Sequence, residues 1–144
     1  MKRLKILLPL FLLALVLVAC GGQAAPAVVS EFAEPDINLE DLAKDLDVQT
    51  VYDLKDHRDV YLLDVREQYE YDEKHIPEIN LLPMSEVQNR LDEIPADKEV
   101  ILTCRSGNRS SQVAQFLQQN GYENVHNMSG GIIAWEEAGY PVDR

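Results

Sequence analysis

Two stretches of the chain, Val60-Tyr61-Leu62-Leu63 and Val100-Ile101-Leu102, are apolar without a break. A strand with one wet face alternates apolar and polar residues, so an unbroken run predicts a strand covered on both faces, as in a parallel sheet with helices on either side. Around these runs the apolar residues recur at helical spacing. Leu39, Leu42 and Leu46, with Glu40, Asp41 and Asp45 between them, predict a short amphipathic helix packed on the domain's edge. Val87, Leu91 and Ile94 predict another, capped by Ser85 and stopped by Pro95. From Ser110 to Asn120, Val113, Phe116 and Leu117 form one stripe, and Gly121 follows as a C-terminal breaker. Strands alternating with helices predict an open α/β sheet, in which ligands sit beyond the carboxyl ends of the strands.

Before residue 37 the pattern changes. Lys2, Arg3 and Lys5 precede an uncharged apolar run from Ile6 to Ala19, the form of a secretory signal peptide. Interrupted by Pro9, that run is shorter than the roughly 20 apolar residues a membrane-spanning helix needs. Leu17-Val18-Ala19-Cys20 resembles a bacterial lipobox, which implies cleavage before Cys20 and diacylation of its sulfur. The alternative is an ordinary cleaved signal with Cys20 as an accidental neighbour. Residues 21 to 35 are rich in Ala, Gly, Gln and Glu, include Pro26 and Pro35, and have no sustained period, which reads as a tether. The expected organisation is a lipoprotein signal peptide over 1–19, a lipidated tether over 20–36 and one domain over 37–144. The expected location is the cell envelope, outside the cytoplasm, with acyl chains holding the chain to a membrane.

Composition narrows the function classes. A chain of 144 residues with 46% apolar and 26% charged residues suits one packed domain and excludes a disordered or collagen-like polymer. A net charge of −12 excludes the basic stripes with which proteins meet nucleic acid phosphates. Cys20 and Cys104 could make at most one disulfide, and acylation of Cys20 leaves Cys104 as the free thiol. Neither cysteine belongs to a zinc-binding pattern, and His57, His75 and His126 are scattered, so neither a metal nor a cofactor is expected.

The chemistry converges on one loop. The strand over 100–103 runs into Cys104-Arg105-Ser106-Gly107-Asn108-Arg109, and a helix starts near Ser110. A thiol there lies at a helix N-terminus, where unpaired N–H groups and the macrodipole favour negative charge. Arg105 and Arg109 add fixed positive charge. Gly107 and Asn108 tolerate the positive φ that curls several N–H groups toward one centre. Such surroundings lower a cysteine pKa from about 8.5 into the range of about 3.5–7.5, which makes Cys104 the candidate nucleophile. Arg109 is also expected to fold its guanidinium onto the loop's own carbonyls, and Ser106 to offer its hydroxyl to a bound sulfur.

This segment resembles the active-site loop of the rhodanese family of sulfurtransferases. The resemblance extends to Asp64-Val65-Arg66-Glu67, His75-Ile76-Pro77, Asn80-Leu81-Leu82-Pro83, Gly121-Tyr122-Glu123-Asn124-Val125 and Gly130-Gly131-Ile132-Ile133-Ala134-Trp135 through Gly139-Tyr140-Pro141-Val142, about residues 48 to 142 in all. Lys74 and Glu78 depart from it, standing where many members have Gly. The resemblance implies a five-stranded parallel sheet flanked by helices. It also implies that Cys104 takes a sulfane sulfur from a small donor such as thiosulfate as a persulfide and passes it to a thiophilic acceptor. A non-catalytic persulfide relay or anion-binding module serving a partner protein is the alternative.

Loop length separates a neighbouring chemistry. Cys104 and Arg109 have four residues between them, whereas tyrosine and dual-specificity phosphatases have five, a wider ring for a tetrahedral phosphate, so phosphatase or arsenate reductase activity is the lesser enzyme alternative. Other residues carry weaker expectations. Asp64 is expected to cap the following helix, with a place near the active-site wall implied by the resemblance. Arg66 and Glu70 either pair, face the pocket or form surface salt bridges. His75 is expected to hydrogen-bond a turn, and Trp135 to be a core aromatic near a helix start.

Overall fold

The computed structural model describes residues 38–144. The signal peptide, Cys20 and the tether lie outside the described residues. Five parallel strands form one sheet in the order β1-β5-β4-β2-β3: β1 (Asp45–Leu46), β2 (Val60–Asp64), β3 (Asn80–Leu81), β4 (Glu99–Thr103) and β5 (Val125–Met128). Helices α1 (Val48–Leu54), α2 (Gln68–Glu73), α3 (Asn108–Gln119) and α4 (Gly131–Glu137) connect and cover it. This is the expected flanked parallel sheet.

The unbroken apolar runs have the predicted cause. Along β4, Val100 and Leu102 pack with Val113, Ala114 and Leu117 of α3, while Ile101 points the other way, to the cluster containing Ile132 and Trp135 of α4. Along β2, Leu63 joins the first cluster and Val60 and Leu62 the second. Because side chains alternate between faces and both faces are dry, every position is apolar. In α3 the buried residues are Ser110, Val113, Ala114 and Leu117, one helical stripe against the sheet. Trp135 is buried, as expected, and its indole N–H donates to the Pro141 carbonyl at 2.9 Å.

Two helix expectations fail. Leu39, Leu42 and Leu46 do not share a helix: Leu39–Asp41 is a single 3₁₀ turn, and Leu46 belongs to β1. The β5 ladder claims this backbone, with Asn127 N–H donating to Lys44 O and Ser129 N–H to Leu46 O, each at 2.8 Å. Sheet hydrogen bonds here override a periodicity of three leucines. The segment around Val87, Leu91 and Ile94 forms two 3₁₀ turns, Val87–Asn89 and Leu91–Glu93, separated at Arg90, whose φ of −133° leaves the helical region. Ser85 does not cap it; its hydroxyl lies 3.5 Å from a Glu67 carboxylate oxygen.

Glu78 is the one non-glycine residue with positive φ among those described, at 62°. It is also one of the two positions where the sequence departs from the family's glycines. A side chain in this left-handed region costs roughly 1–2 kcal/mol, against about 0.5–1 kcal/mol of extra chain entropy for glycine. Glu78→Gly is therefore expected to stabilise the domain by about 0.5 kcal/mol and raise its melting temperature by a few degrees. A lower melting temperature in thermal denaturation would contradict that strain.

Candidate active site

The carboxyl ends of β2, β4 and β5 meet at one edge of the sheet. Asp64 pairs in register with Thr103, and Leu102 with Asn127. Cys104 follows β4 directly and is 1% exposed. Its loop turns at Gly107, where φ is 90°, and α3 begins at the next residue. A Cβ on Gly107 would stand 3.1 Å from the Gly130 nitrogen and 3.2 Å from the Met128 carbonyl oxygen, so the turn is packed against the β5–α4 connection. Asn108 is the first residue of α3 and does not share the positive φ expected of it.

The turn aims neutral donors at the sulfur. Gly107 N–H lies 3.1 Å from Cys104 Sγ, and the Ser110 hydroxyl 3.4 Å. Burial pushes the thiol's pKa up. Hydrogen bonds from the Ser110 hydroxyl and from the Ser110, Ser106 and Gly107 backbone N–H groups outweigh it, holding Cys104 below an ordinary thiol. The sulfur therefore leans toward thiolate, as expected from the sequence, but the donors that hold it are amides and a hydroxyl. Ser110 was hidden in the sequence because it reads as one more polar residue of α3. Ser106 contributes its N–H, and its side chain is exposed.

The arginines are placed differently from one another. Arg109 does not fold onto the loop's carbonyls. It forms a bidentate pair with Glu70 of α2, 2.7 Å at each oxygen, and the Arg109 hydrogen bond lowers the Glu70 pKa. The loop's carbonyls are met instead by α4: Ile132 N–H donates to Cys104 O at 2.9 Å and Ile133 N–H to Arg105 O at 3.2 Å. Gly131 allows this approach. Its φ is 59°, and a Cβ there would lie 2.4 Å from Cys104 O. Arg105 is exposed, and among the described residues its guanidinium has neither an ion pair nor a hydrogen bond.

Asp64 and Arg66 form a buried support. Asp64 is 1% and Arg66 2% exposed, and the guanidinium reaches both carboxylate oxygens, Oδ1 at 3.0 Å and Oδ2 at 2.6 Å at the closest. Asp64 does not cap α2. That cap is Glu67, in a capping box with Glu70, while Asp64 Oδ1 accepts the Arg66 N–H at 2.9 Å. Arg66 also donates to the Glu70 and Lys74 carbonyls, at 3.2 and 2.8 Å, closing the C-terminal end of α2. Removing one member of such a buried pair costs about 3–5 kcal/mol because the other charge is stranded. The pair thus holds α2, α2 holds Glu70, and Glu70 holds Arg109 beside the loop. His75 serves its turn, its ring nitrogen 2.9 Å from the Tyr71 carbonyl.

Beside the loop opens a cleft of about 390 Å³ lined by Arg66, Tyr69, Glu70, Glu73, Lys74, Arg105, Ile132 and Ile133. Tyr69, 71% exposed, and Ile133, 39% exposed, are the large apolar side chains most open to solvent among the described residues. Arg66, Lys74 and Glu70 are each paired, to Asp64, Glu136 and Arg109, which leaves, among the described residues, Arg105 as the cleft's cation without an ion pair and Glu73 as its unpaired carboxylate.

A strand-to-helix loop with a buried, hydrogen-bonded thiol now has a counterpart among known proteins. The model of the rhodanese-like domain matches residues 47–138. The chain belongs to the rhodanese family. Among the relatives of this rhodanese-like domain is a sulfurtransferase of Allochromatium vinosum, 45% identical over 89 residues, which cover 62% of this chain and 83% of that one. A thiosulfate sulfurtransferase, GlpE, of Pseudoalteromonas translucida is 32% identical over 95 residues, covering 66% of this chain and 90% of that one. The crystal structure of a rhodanese-related protein from Thermoplasma volcanium superposes with a TM-score of 0.65 at 32% identity, covering 70% of this chain and 98% of that one.

Proposed function

We propose that the protein is a sulfurtransferase that carries a sulfane sulfur on Cys104 and moves it from a small donor such as thiosulfate to a thiophilic acceptor. The observation that carries the reading is the Cys104 sulfur itself: buried, ringed by N–H and O–H donors, and biased toward thiolate at the head of α3. Its relatives named sulfurtransferase and thiosulfate sulfurtransferase support the same class of reaction.

The steps balance without a cofactor. The Cys104 thiolate attacks the outer sulfur of thiosulfate, a new S–S bond forms, and the old one breaks with its electron pair leaving on sulfite. The persulfide anion extends the side chain by about 2 Å and takes over the donors that held the thiolate. A nucleophilic acceptor then attacks the terminal sulfur, and the electron pair returns to Cys104. In this reading Arg105 steers the anionic donor, while Arg109, bound to Glu70, fixes the loop. Acylation of Cys20 would hold the domain at a membrane outside the cytoplasm.

Thiosulfate is expected to add +32 Da, about one sulfur atom, to the intact protein, and thiosulfate with cyanide to yield thiocyanate in steady state. A protein that loads but does not turn over with cyanide or small thiols would deliver its sulfur to a protein acceptor instead. A protein that never loads would contradict the proposal. The same mass spectrum reports whether Cys20 carries acyl chains.

A further inference from the structure

Behind the sulfur, Ser110 continues into a hydrogen-bonded chain whose further members, Asn127 and Asp45, the reaction just described does not use. The Ser110 hydroxyl faces three acceptors: Asn127 Oδ1 at 2.7 Å, Gly107 O at 3.1 Å and Cys104 Sγ at 3.4 Å. A hydroxyl has one proton to donate, so these acceptors compete for it, and the shortest contact is to Asn127. Asn127 is buried in β5, and its Nδ2 donates to Asp45 Oδ1 at 2.8 Å across the parallel β1–β5 pair.

The carboxylate decides which way the amide points. A carboxylate only accepts, so the Asn127 NH₂ must turn toward Asp45, and its oxygen must then face Ser110. With Asp45 gone the amide is free to flip and present NH₂ to Ser110 Oγ. The serine proton would then be released toward the sulfur.

We propose that Asp45 and Asn127 are positioning residues that compete with Cys104 for the Ser110 proton in the resting enzyme, weakening the hydroxyl's hydrogen bond to the sulfur and so limiting how firmly the sulfur is held as an anion. The proposal rests on Cys104 being the nucleophile. Such a restraint suits a group that must attack as well as ionise, because the intrinsic nucleophilicity of a thiolate falls as its pKa falls. It also links the sulfur to β1, the edge strand at the start of the domain. The charged groups around the site are Arg105 in the loop, Arg109 on α3 with Glu70 of α2, and Asp64 with Arg66 after β2. None of them is hydrogen-bonded to Ser110 or Asn127 among the described residues, so they act as a constant background.

The test is the pH profile of Cys104 alkylation by iodoacetamide in the full chain, followed on the Cys104 peptide by mass spectrometry. Asp45→Ala is expected to move the midpoint to lower pH, with about threefold more thiolate at a fixed pH below it, a shift of about half a pH unit. Asn127→Ala should move it the same way, and Ser110→Ala the opposite way. In a Ser110→Ala background, Asp45→Ala should have no further effect. Loss of a nearby negative charge would by itself lower the midpoint with or without Ser110, so a shift that persists in that background would overturn the proposal. An unmoved midpoint in Asp45→Ala, whose side chain is exposed and whose loss the fold should tolerate, would overturn it as well. Failure of the parent reading looks different: the wild-type protein would then alkylate normally and still take up no sulfur.

Discussion

Cys104→Ser is expected to abolish sulfur loading, with no +32 Da adduct after thiosulfate and thiocyanate formation falling to the uncatalysed background. A serine oxygen in the same place meets the same donors, but it is not ionised near neutral pH and cannot carry a persulfide. The fold should be little affected, because Ser replaces Cys at nearly equal volume and Ser110 and Gly107 remain to satisfy the new hydroxyl. Melting temperature and intact mass together check this outcome. An undiminished adduct in the serine variant would remove Cys104 from the mechanism.

Gly131→Ala is expected to slow turnover about 100-fold while leaving Cys104 itself unchanged. A Cβ at 2.4 Å from Cys104 O and 2.6 Å from the Arg105 carbonyl carbon meets backbone on the other side, so neither partner can rotate away. The loop or the start of α4 must move, and the bonds from Ile132 and Ile133 to the loop carbonyls break or stretch. Backbone strain alone costs about 1–3 kcal/mol, and a misplacement near 1 Å can cost about 10²-fold in rate. The variant should therefore melt lower and turn over roughly 100-fold more slowly, yet still accumulate the +32 Da adduct on long exposure. Wild-type turnover with an unchanged melting temperature would mean that α4 does not brace the loop.

How much of this was legible in the sequence depended on whether the signal was local. The buried strands β2 and β4 were readable because both faces are dry and every residue records it. The candidate site was readable because a strand end, a thiol, a glycine turn and a helix start are contiguous. Strands β1 and β3 span two residues each and carry no period, so only the family resemblance implied a five-stranded sheet. The leucines at 39, 42 and 46 misled because the ladder bonds that claim residues 44–46 come from β5, about 80 residues away. The partners of the arginines failed for the same reason. Arg109 finds Glu70 39 positions upstream, and only the assembled sheet brings Ser110 to Asn127 and Asn127 to Asp45. A polar residue on a buried helix face, as Ser110 is, was the available hint.

The central claim is that neutral donors at the head of α3 stabilise the Cys104 thiolate and hold its pKa below that of an ordinary thiol. Its direct measurement is the alkylation rate of Cys104 against pH, resolved from Cys20 at the peptide level. Because the hydrogen bonds lower the thiol's pKa against the upward push of burial, the sulfur stays reactive as pH falls past the ordinary thiol value, and the midpoint is expected below about 8.5. A midpoint at or above about 8.5 would contradict the account.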